Sequence, residues 1–478
     1  MRNRSGSNPP LYVGVADRIR EQIARGALRQ GDRAPSLRRI SGQNRISMST
    51  AIQAYQLLEN QGHLEARPKS GYFVRLPAAQ AIPEPRADVR AARISAPIHH
   101  AILRDAVAAA NDPDCVPFGA ACISQDLFPN QRLNRIIRGI LGRDPRHSAR
   151  YAVPPGSEAL RRQIARRSAD SGVRLGPDEL TITGGALEAI NLAIRAVLRP
   201  GDAIAVESPT FFSVLQLAAS LGMTAVEIPT DPRNGLDLGA LGTAIRRHRI
   251  KACFVMTNCH NPLGYVLPDA AKEELVALTA RRGIALIEDD IYGELVFEGP
   301  RPRTAKSYDR EGLVLLCSSY SKSVSPGFRV GWISAGRFQD EVNRLKFISN
   351  IGAPVLPQLA LAEFLESGGY DRHIRGLRMK LAGQMAEVRQ ATARYFPEGT
   401  RITRPAGGHM LWVELPHRTD AVAVFRRALE RRISILPGTI FGAGHRYRNC
   451  LRLNCGQIWS EVHERALLTV GKLCHQHT

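Results

Sequence analysis

Five short apolar runs, at 180–183, 203–206, 252–256, 284–287 and 313–316, alternate with stretches of helical spacing such as 186–198 and 270–281. Runs this short, bounded by polar and turn residues, read as strands buried on both faces, and the helical stretches supply the crossovers that parallel strands need. The alternation restricts this part of the chain to an α/β layer fold around a mostly parallel sheet. In such sheets ligands gather beyond the carboxyl ends of the strands. The chemically suggestive residues of this chain fall at those ends.

The last run leads into Ser318-Ser319-Tyr320-Ser321-Lys322-Ser323 and then Pro326-Gly327-Phe328-Arg329-Val330-Gly331-Trp332. A lone loop lysine is usually solvated. In a dry pocket beside other cations its amine becomes a nucleophile toward carbonyls, which is Schiff-base chemistry, and the nearby serines and Arg329 supply donors for a phosphate. Thr183-Gly184-Gly185-Ala186 closes the first run and opens a helix. It reads either as a phosphate seat of backbone N–H groups at the positive end of the helix dipole or as plain turn chemistry. Phe211, after the second run, stacks on a flat ring or fills core. Asn261, in Asn258-Cys259-His260-Asn261-Pro262-Leu263-Gly264, donates to a phenolic oxygen or marks an ordinary turn. Asp289 and Tyr292, after the fourth run, suit a protonated pyridine nitrogen and a ring oxygen.

In the order glycine pair, aromatic, Asn-Pro, Asp-x-x-Tyr, Ser-x-x-Lys, Arg, these residues resemble the site of fold-type I pyridoxal-phosphate enzymes, the aspartate aminotransferase superfamily. The resemblance implies pyridoxal 5'-phosphate as cofactor and Lys322 as the catalytic Schiff-base lysine. It implies Asp289 on the pyridine nitrogen, Asn261 and Tyr292 on the ring hydroxyl, and Phe211 on the ring face. Gly184, Gly185, Ala186, Ser319 and Arg329 then surround the phosphate. Tyr151, in Tyr-Ala-Val-Pro-Pro-Gly, resembles the tyrosine that reaches a neighbouring subunit's phosphate, which implies a homodimer. Arg452, in Leu-Arg-Leu-Asn, resembles the arginine that clamps the α-carboxylate of a substrate or effector.

Charge separates a second part of the chain. The formal net charge is +21 over 478 residues, and residues 1–77 carry 13 Lys+Arg against 5 Asp+Glu. A basic segment of that density points to a polyanion partner. Within it Leu11, Val15, Ile19 and Ile23 recur every four residues, one face of a helix. Ser36 caps a second helix carrying Leu37 and Ile40, and Ser47 caps a third that buries Ala51, Ala54, Tyr55 and Leu58. Extended runs at 63–66 and 72–76 flank Arg67-Pro68-Lys69-Ser70-Gly71. Three helices and a basic-tipped hairpin make a winged helix-turn-helix, or on pattern alone a protein-interaction module. In the first reading Ser49, Thr50 and Gln53 face base edges while Arg38, Arg45, Arg67 and Lys69 contact phosphates of double-stranded DNA. The segment resembles the GntR-type DNA-binding domain through Gly31-Asp32-Arg33-Ala34-Pro35-Ser36-Leu37-Arg38, Ser47-Met48-Ser49-Thr50-Ala51 and Gly71-Tyr72-Phe73-Val74. Met48 stands where many relatives carry a basic residue.

The boundaries expected are a DNA-binding domain at 1–76, an extended linker at 77–97 and an aminotransferase-like domain at 98–478. The last divides into a large part at about 151–350 and a small α+β part from 98–150 and 351–478. A GntR-type head on such a body resembles the MocR regulators, a bacterial family. The resemblance implies a cytoplasmic transcription regulator that senses an amino compound by aldimine exchange. The alternative is a working aminotransferase acting on an amino acid, with an accessory DNA-binding domain. Eight cysteines without a Cys-x-x-Cys pair suggest reduced thiols and no metal site, and no apolar run approaches membrane-spanning length.

Overall fold

The computed structural model describes residues 11–24, 27–28, 31–60, 63–67, 70–74, 82–85, 92–94, 100–444 and 446–477. The chain forms two compact units, Met1–Ile82 and Pro83–Thr478.

In the first unit, helices α1 (Leu11–Ala24), α2 (Leu37–Asn44) and α3 (Met48–Asn60) precede an antiparallel hairpin of β1 (Leu64–Arg67) and β2 (Gly71–Val74). Both expected caps form. Ser36 Oγ accepts the Arg39 N–H at 3.3 Å, and Ser47 Oγ accepts the Thr50 N–H at 3.1 Å, each satisfying a donor that the helix itself leaves open. Val15, Ile19, Ile40, Ala54, Tyr55, Leu58 and Leu64 close a small core. The Tyr55 ring meets Tyr72 edge-on at 5.0 Å, and its hydroxyl donates to the Pro35 carbonyl. Leu11, expected on the buried face, is 74% exposed, because packing against α3 begins a turn later at Val15. At the expected wing tip, Pro68, Lys69 and the Arg67 side chain lie outside the described residues.

In the second unit β3 (Ala92–Ile94) and β4 (Val116–Pro117) come first, with helices α4 (His100–Asn111), α5 (Asn130–Arg143) and α6 (Glu158–Ser168). The strands that follow are β5 (Thr181–Thr183), β6 (Ala203–Ser208), β7 (Thr224–Asp231), β8 (Gly235–Leu236) and β9 (Ile250–Val255). After them come β10 (Ala285–Asp289), β11 (Val314–Ser319) and β12 (Gly331–Ser334). They form a nine-stranded sheet in the order β3-β7-β6-β9-β10-β11-β12-β5, with β8 on β7. From β7 to β11 every pairing is parallel, while β12 runs antiparallel to both β11 and β5. Each residue of β6, β10 and β11 is buried, and each strand opens on an unbroken apolar run before its polar end. A separate four-stranded antiparallel sheet contains Met410–Glu414 and Cys450–Asn454, with Trp412 opposite Arg452.

One departure from expectation concerns the first sheet. Strand β7 was not among the five runs, since Glu227 and Pro229 interrupt its apolar pattern; buried Glu227 accepts the Ala443 N–H at 2.9 Å. Part of the expected linker also joins the body. Ala92–Ile94 pairs with Ala225–Glu227, taking up backbone groups that β7 would otherwise present at an open edge. Ahead of it, the Ile402 N–H donates to the Pro83 carbonyl at 3.1 Å and Glu84 pairs with Arg404 at 3.2 Å. Residues 77–81, 86–91 and 95–97 lie outside the described ones.

Candidate functional site

Strands β5, β6, β9, β10 and β11 end at one edge of the sheet, and antiparallel β12 begins there. A cavity of about 160 Å³ opens at that edge. Its wall contains Ala186, Phe211, Asn261 and Asp289, and also Tyr292, Ser319, Lys322 and Arg329. Residues separated by up to 143 positions therefore meet because the parallel topology brings every strand end to one place.

The Lys322 side chain is half-buried, and its amine donates to the Ala121 carbonyl. Burial lowers its pKa below the ordinary lysine value, and the Arg452 and Arg329 cations push the same way against Cys122 and Asp289. Asp289 shows the converse. Burial, with Asp290 and Glu288 nearby, raises its carboxyl to about 7, although the Ile291 N–H at 3.2 Å and Lys322 oppose the rise. Asn261 is buried with its amide oxygen unpartnered. Burial likewise raises the Tyr292 phenol, which stays protonated across the neutral range.

At the other end, Arg329 holds a left-handed backbone (φ 49°) and donates to the Gly184 carbonyl at 2.7 Å and to Ser321 Oγ at 3.3 Å. Ser319 Oγ accepts the Ser321 N–H at 3.3 Å. Gly185 sits at φ 113°, where a Cβ would lie 2.4 Å from the Arg329 guanidinium, so the turn tolerates only glycine there. One expectation needs correction. The Gly184 N–H, expected in a phosphate seat, donates instead to the Glu188 carboxylate, which Lys346 also holds at 2.9 Å. Glu188 lies in the first turn of α7 (Ala186–Val197), within reach of the open N–H groups at the helix start.

Arg452 lies behind the wall rather than in it. It is 1% exposed; Nη2 donates to the Gly119 carbonyl, whereas Nε and Nη1 have no partner. Burial lowers its pKa to about 10. Tyr151 is outside the cavity and 80% exposed. Sequence reasoning missed the stretch Gly119-Ala120-Ala121-Cys122, whose carbonyls hold Lys322 and Arg452, because small apolar residues give no chemical signal. It also missed His409, fully buried, whose ring meets Tyr292 edge-on at 5.4 Å and whose ring nitrogens are both unpartnered. Burial, then Lys322 and Arg452, hold it neutral.

In the first unit, Ser49 and Gln53 of α3 are exposed and Thr50 is half-buried. The Ser49 and Thr50 hydroxyls each lie 2.8 Å from Ser47 Oγ, so the helix cap competes for them. Arg38 is exposed on α2, and Arg45 is exposed at its left-handed C-cap.

Residues 125–467 match the family described as Aminotransferase class I and II, and residues 11–74 match Bacterial regulatory proteins, gntR family. The uncharacterized HTH-type transcriptional regulator YdcR of Escherichia coli (strain K12) is 42% identical over 466 residues, covering 97% of this chain and 99% of the relative. YjiR of the same organism, another uncharacterized HTH-type transcriptional regulator, is 38% identical over 469 residues, with the same coverage of both chains. The chain belongs to the MocR-type family. Among solved structures, its aminotransferase-like body is similar to LysN, the α-aminoadipate aminotransferase of Thermus thermophilus, crystallised with N-(5'-phosphopyridoxyl)-L-leucine. The TM-score is 0.71 at 28% identity, over 80% of this chain and 96% of that one. The MocR-type body thus has the fold-type I aminotransferase architecture, whose cofactor is pyridoxal phosphate. The residues present fit that group: an amine of lowered proton affinity, a buried carboxyl, a buried amide and a buried phenol line one cavity, and a glycine turn lies against Arg329 at its other end.

Proposed function

We propose that this chain is a transcription regulator that grips duplex DNA with residues 1–76 and senses an amino compound at its pyridoxal-phosphate site. When bound, the cofactor supplies an aldehyde that amines attack reversibly and a ring that withdraws electrons. Lys322, its proton affinity lowered by burial, would present its amine to that aldehyde. Asp289 would pair with the ring nitrogen, Asn261 and Tyr292 would hold the ring oxygen, and Phe211 would cover one ring face. Ser319, Arg329 and the turn at Gly185 and Ala186 would hold the phosphate. Arg452, with two N–H groups to spare, grips the carboxylate of an incoming amino acid. In the head, Ser49, Thr50 and Gln53 read bases, while Arg38, Arg45, Arg67 and Lys69 fix register on phosphates.

The observation that carries this reading is the meeting of Lys322, Asp289, Asn261 and Tyr292 in one cavity of a chain with a basic GntR-type head. Regulation then requires that the effector bind one arrangement of the protein better than another. The working form is a homodimer in the cytoplasm. Support comes from an exposed apolar stretch: Tyr151 (80%) and Val153 (51%) adjoin the segment around Gly352, which follows exposed Phe347, Ile348 and Ile351. A second reading, an amino-acid aminotransferase with an accessory head, is favoured by Arg452, since a carboxylate grip suits turnover as well as sensing.

Borohydride reduction of the cofactor-treated full chain tests the site. One cofactor adduct is expected on Lys322, and Lys322→Ala should lose both the adduct and the visible absorbance while keeping its far-UV circular dichroism. An adduct elsewhere, or unchanged absorbance in the variant, contradicts the assignment. Steady keto-acid production from several amino donors at ordinary enzyme rates, roughly 1–10³ per second, would favour the second reading.

A further inference from the structure

Beneath the cavity floor lies a buried polar cluster with no part in the roles given above. Glu207, near the end of β6, is 1% exposed, His260 is 0% and Tyr265 is 3%. The Tyr265 hydroxyl donates to Glu207 Oε1, and the Met256 N–H donates to Oε2 at 2.9 Å. His260 Nε2 lies 3.2 Å from the same Oε2, within ion-pair distance but off hydrogen-bond alignment. Its other nitrogen, Nδ1, accepts the Leu263 N–H at 3.2 Å. An accepting Nδ1 carries no proton, so the neutral ring keeps its proton on Nε2, toward Glu207. The His260 and Tyr265 rings stack at 4.8 Å with 12° between their planes.

This cluster joins the end of β6 to the loop after β9, and that loop also lines the cavity. Met256 is part of the cavity wall, and Asn261 directly follows His260. The loop closes on itself through the same histidine: the His260 N–H donates to the Tyr265 carbonyl at 3.0 Å, and the Gly264 N–H donates to the His260 carbonyl at 2.6 Å. A buried carboxylate is costly unless several donors meet it. Here the donors come from the strand end and loop that aim Asn261, so satisfying the carboxylate fixes the loop. A Leu at position 207 would fill the space as well, but it would leave the Met256 N–H and the Tyr265 hydroxyl unpaired.

We infer that Glu207, His260 and Tyr265 are positioning residues that set the aim of the Asn261 amide at the cofactor's ring oxygen. The inference rests on the site reading above. It differs from a purely structural role in one consequence: disturbing the trio changes the cofactor's electronic properties through Asn261 and through no other residue.

A double-mutant cycle on the full chain, loaded with pyridoxal phosphate, separates the two. The readout is the pH midpoint of the bound cofactor's visible absorbance. Asn261→Ala removes a donor to the ring oxygen and should raise that midpoint. Tyr265→Phe keeps the ring stacked on His260 but removes one donor to Glu207. It should raise the midpoint in the same direction, about threefold in proton affinity, equivalent to roughly half a pKa unit. In the Asn261→Ala background, Tyr265→Phe should produce no further change. Glu207→Ala should give a larger effect than Tyr265→Phe; should it fail to fold, the Tyr265→Phe cycle decides alone. An unmoved midpoint in Tyr265→Phe, or an equal shift in both backgrounds, overturns the inference while leaving the site reading intact. A wild-type chain that develops no visible absorbance overturns both.

Discussion

Asp289 carries an electrostatic conflict within the site. Its carboxyl is pushed from 3.8 to about 7, chiefly by burial. The folded, cofactor-free chain therefore binds this proton more tightly than the unfolded chain, and folding stability falls as pH rises between those two values. Above about pH 7 the loss is complete. Asp289→Asn removes the conflict. The cofactor-free variant is expected to gain about 2–4 kcal/mol in urea unfolding at about pH 8 and nothing near about pH 3.5. The same variant should bind pyridoxal phosphate at least tenfold more weakly, because the ring nitrogen loses its counter-charge; a gain in stability that is equal at both pH values would contradict the account. Gly185 gives a second test at this scale. With φ at 113° and Arg329 where a Cβ would go, Gly185→Ala should cost about 1–3 kcal/mol and weaken cofactor binding. Unchanged cofactor affinity in a folded variant would remove the glycine turn from the phosphate end.

Elements carry the next layer. Ser47 caps α3 and ties the Ser49 and Thr50 hydroxyls, so Ser47→Ala should cost the head about 1 kcal/mol. It also frees two hydroxyls on the helix expected in the major groove, so its DNA affinity should change more than the stability loss alone predicts. Thermal melting of the head and a binding curve on one duplex check both. The elements were largely legible beforehand for physical reasons. A strand covered on both faces is apolar over most of its length, and β6, β9, β10 and β11 each contain such a run, with the polar residues of β6, β10 and β11 at their carboxyl ends. Strand β7 escaped notice because it buries Glu227 and includes Pro229, paired by atoms distant in sequence. The site's polar residues could be read because each sits at a strand end. Ala121 and Gly119 could not, since they act through backbone carbonyls that any residue possesses. Gly184 was legible as a turn, but its N–H partner Glu188 followed only from the helix start.

At the scale of the whole molecule, the densest basic charge and the candidate cofactor site fall in different units. The +8 of residues 1–77, from 13 basic and 5 acidic side chains, predicts duplex binding that weakens steeply with salt as counterions are released. Salt-independent binding, or none, would remove the DNA-reading role. The proposed function requires that events at Lys322 change what the head does on DNA. The most direct measurement is the affinity of the cofactor-loaded full chain for promoter duplexes from its flanking genes, titrated with a panel of amines. An amine that shifts the cofactor's absorbance is predicted to change DNA affinity by about 5–150-fold, and to change nothing in Lys322→Ala. DNA affinity that stays constant for every amine able to shift the absorbance would contradict the claim.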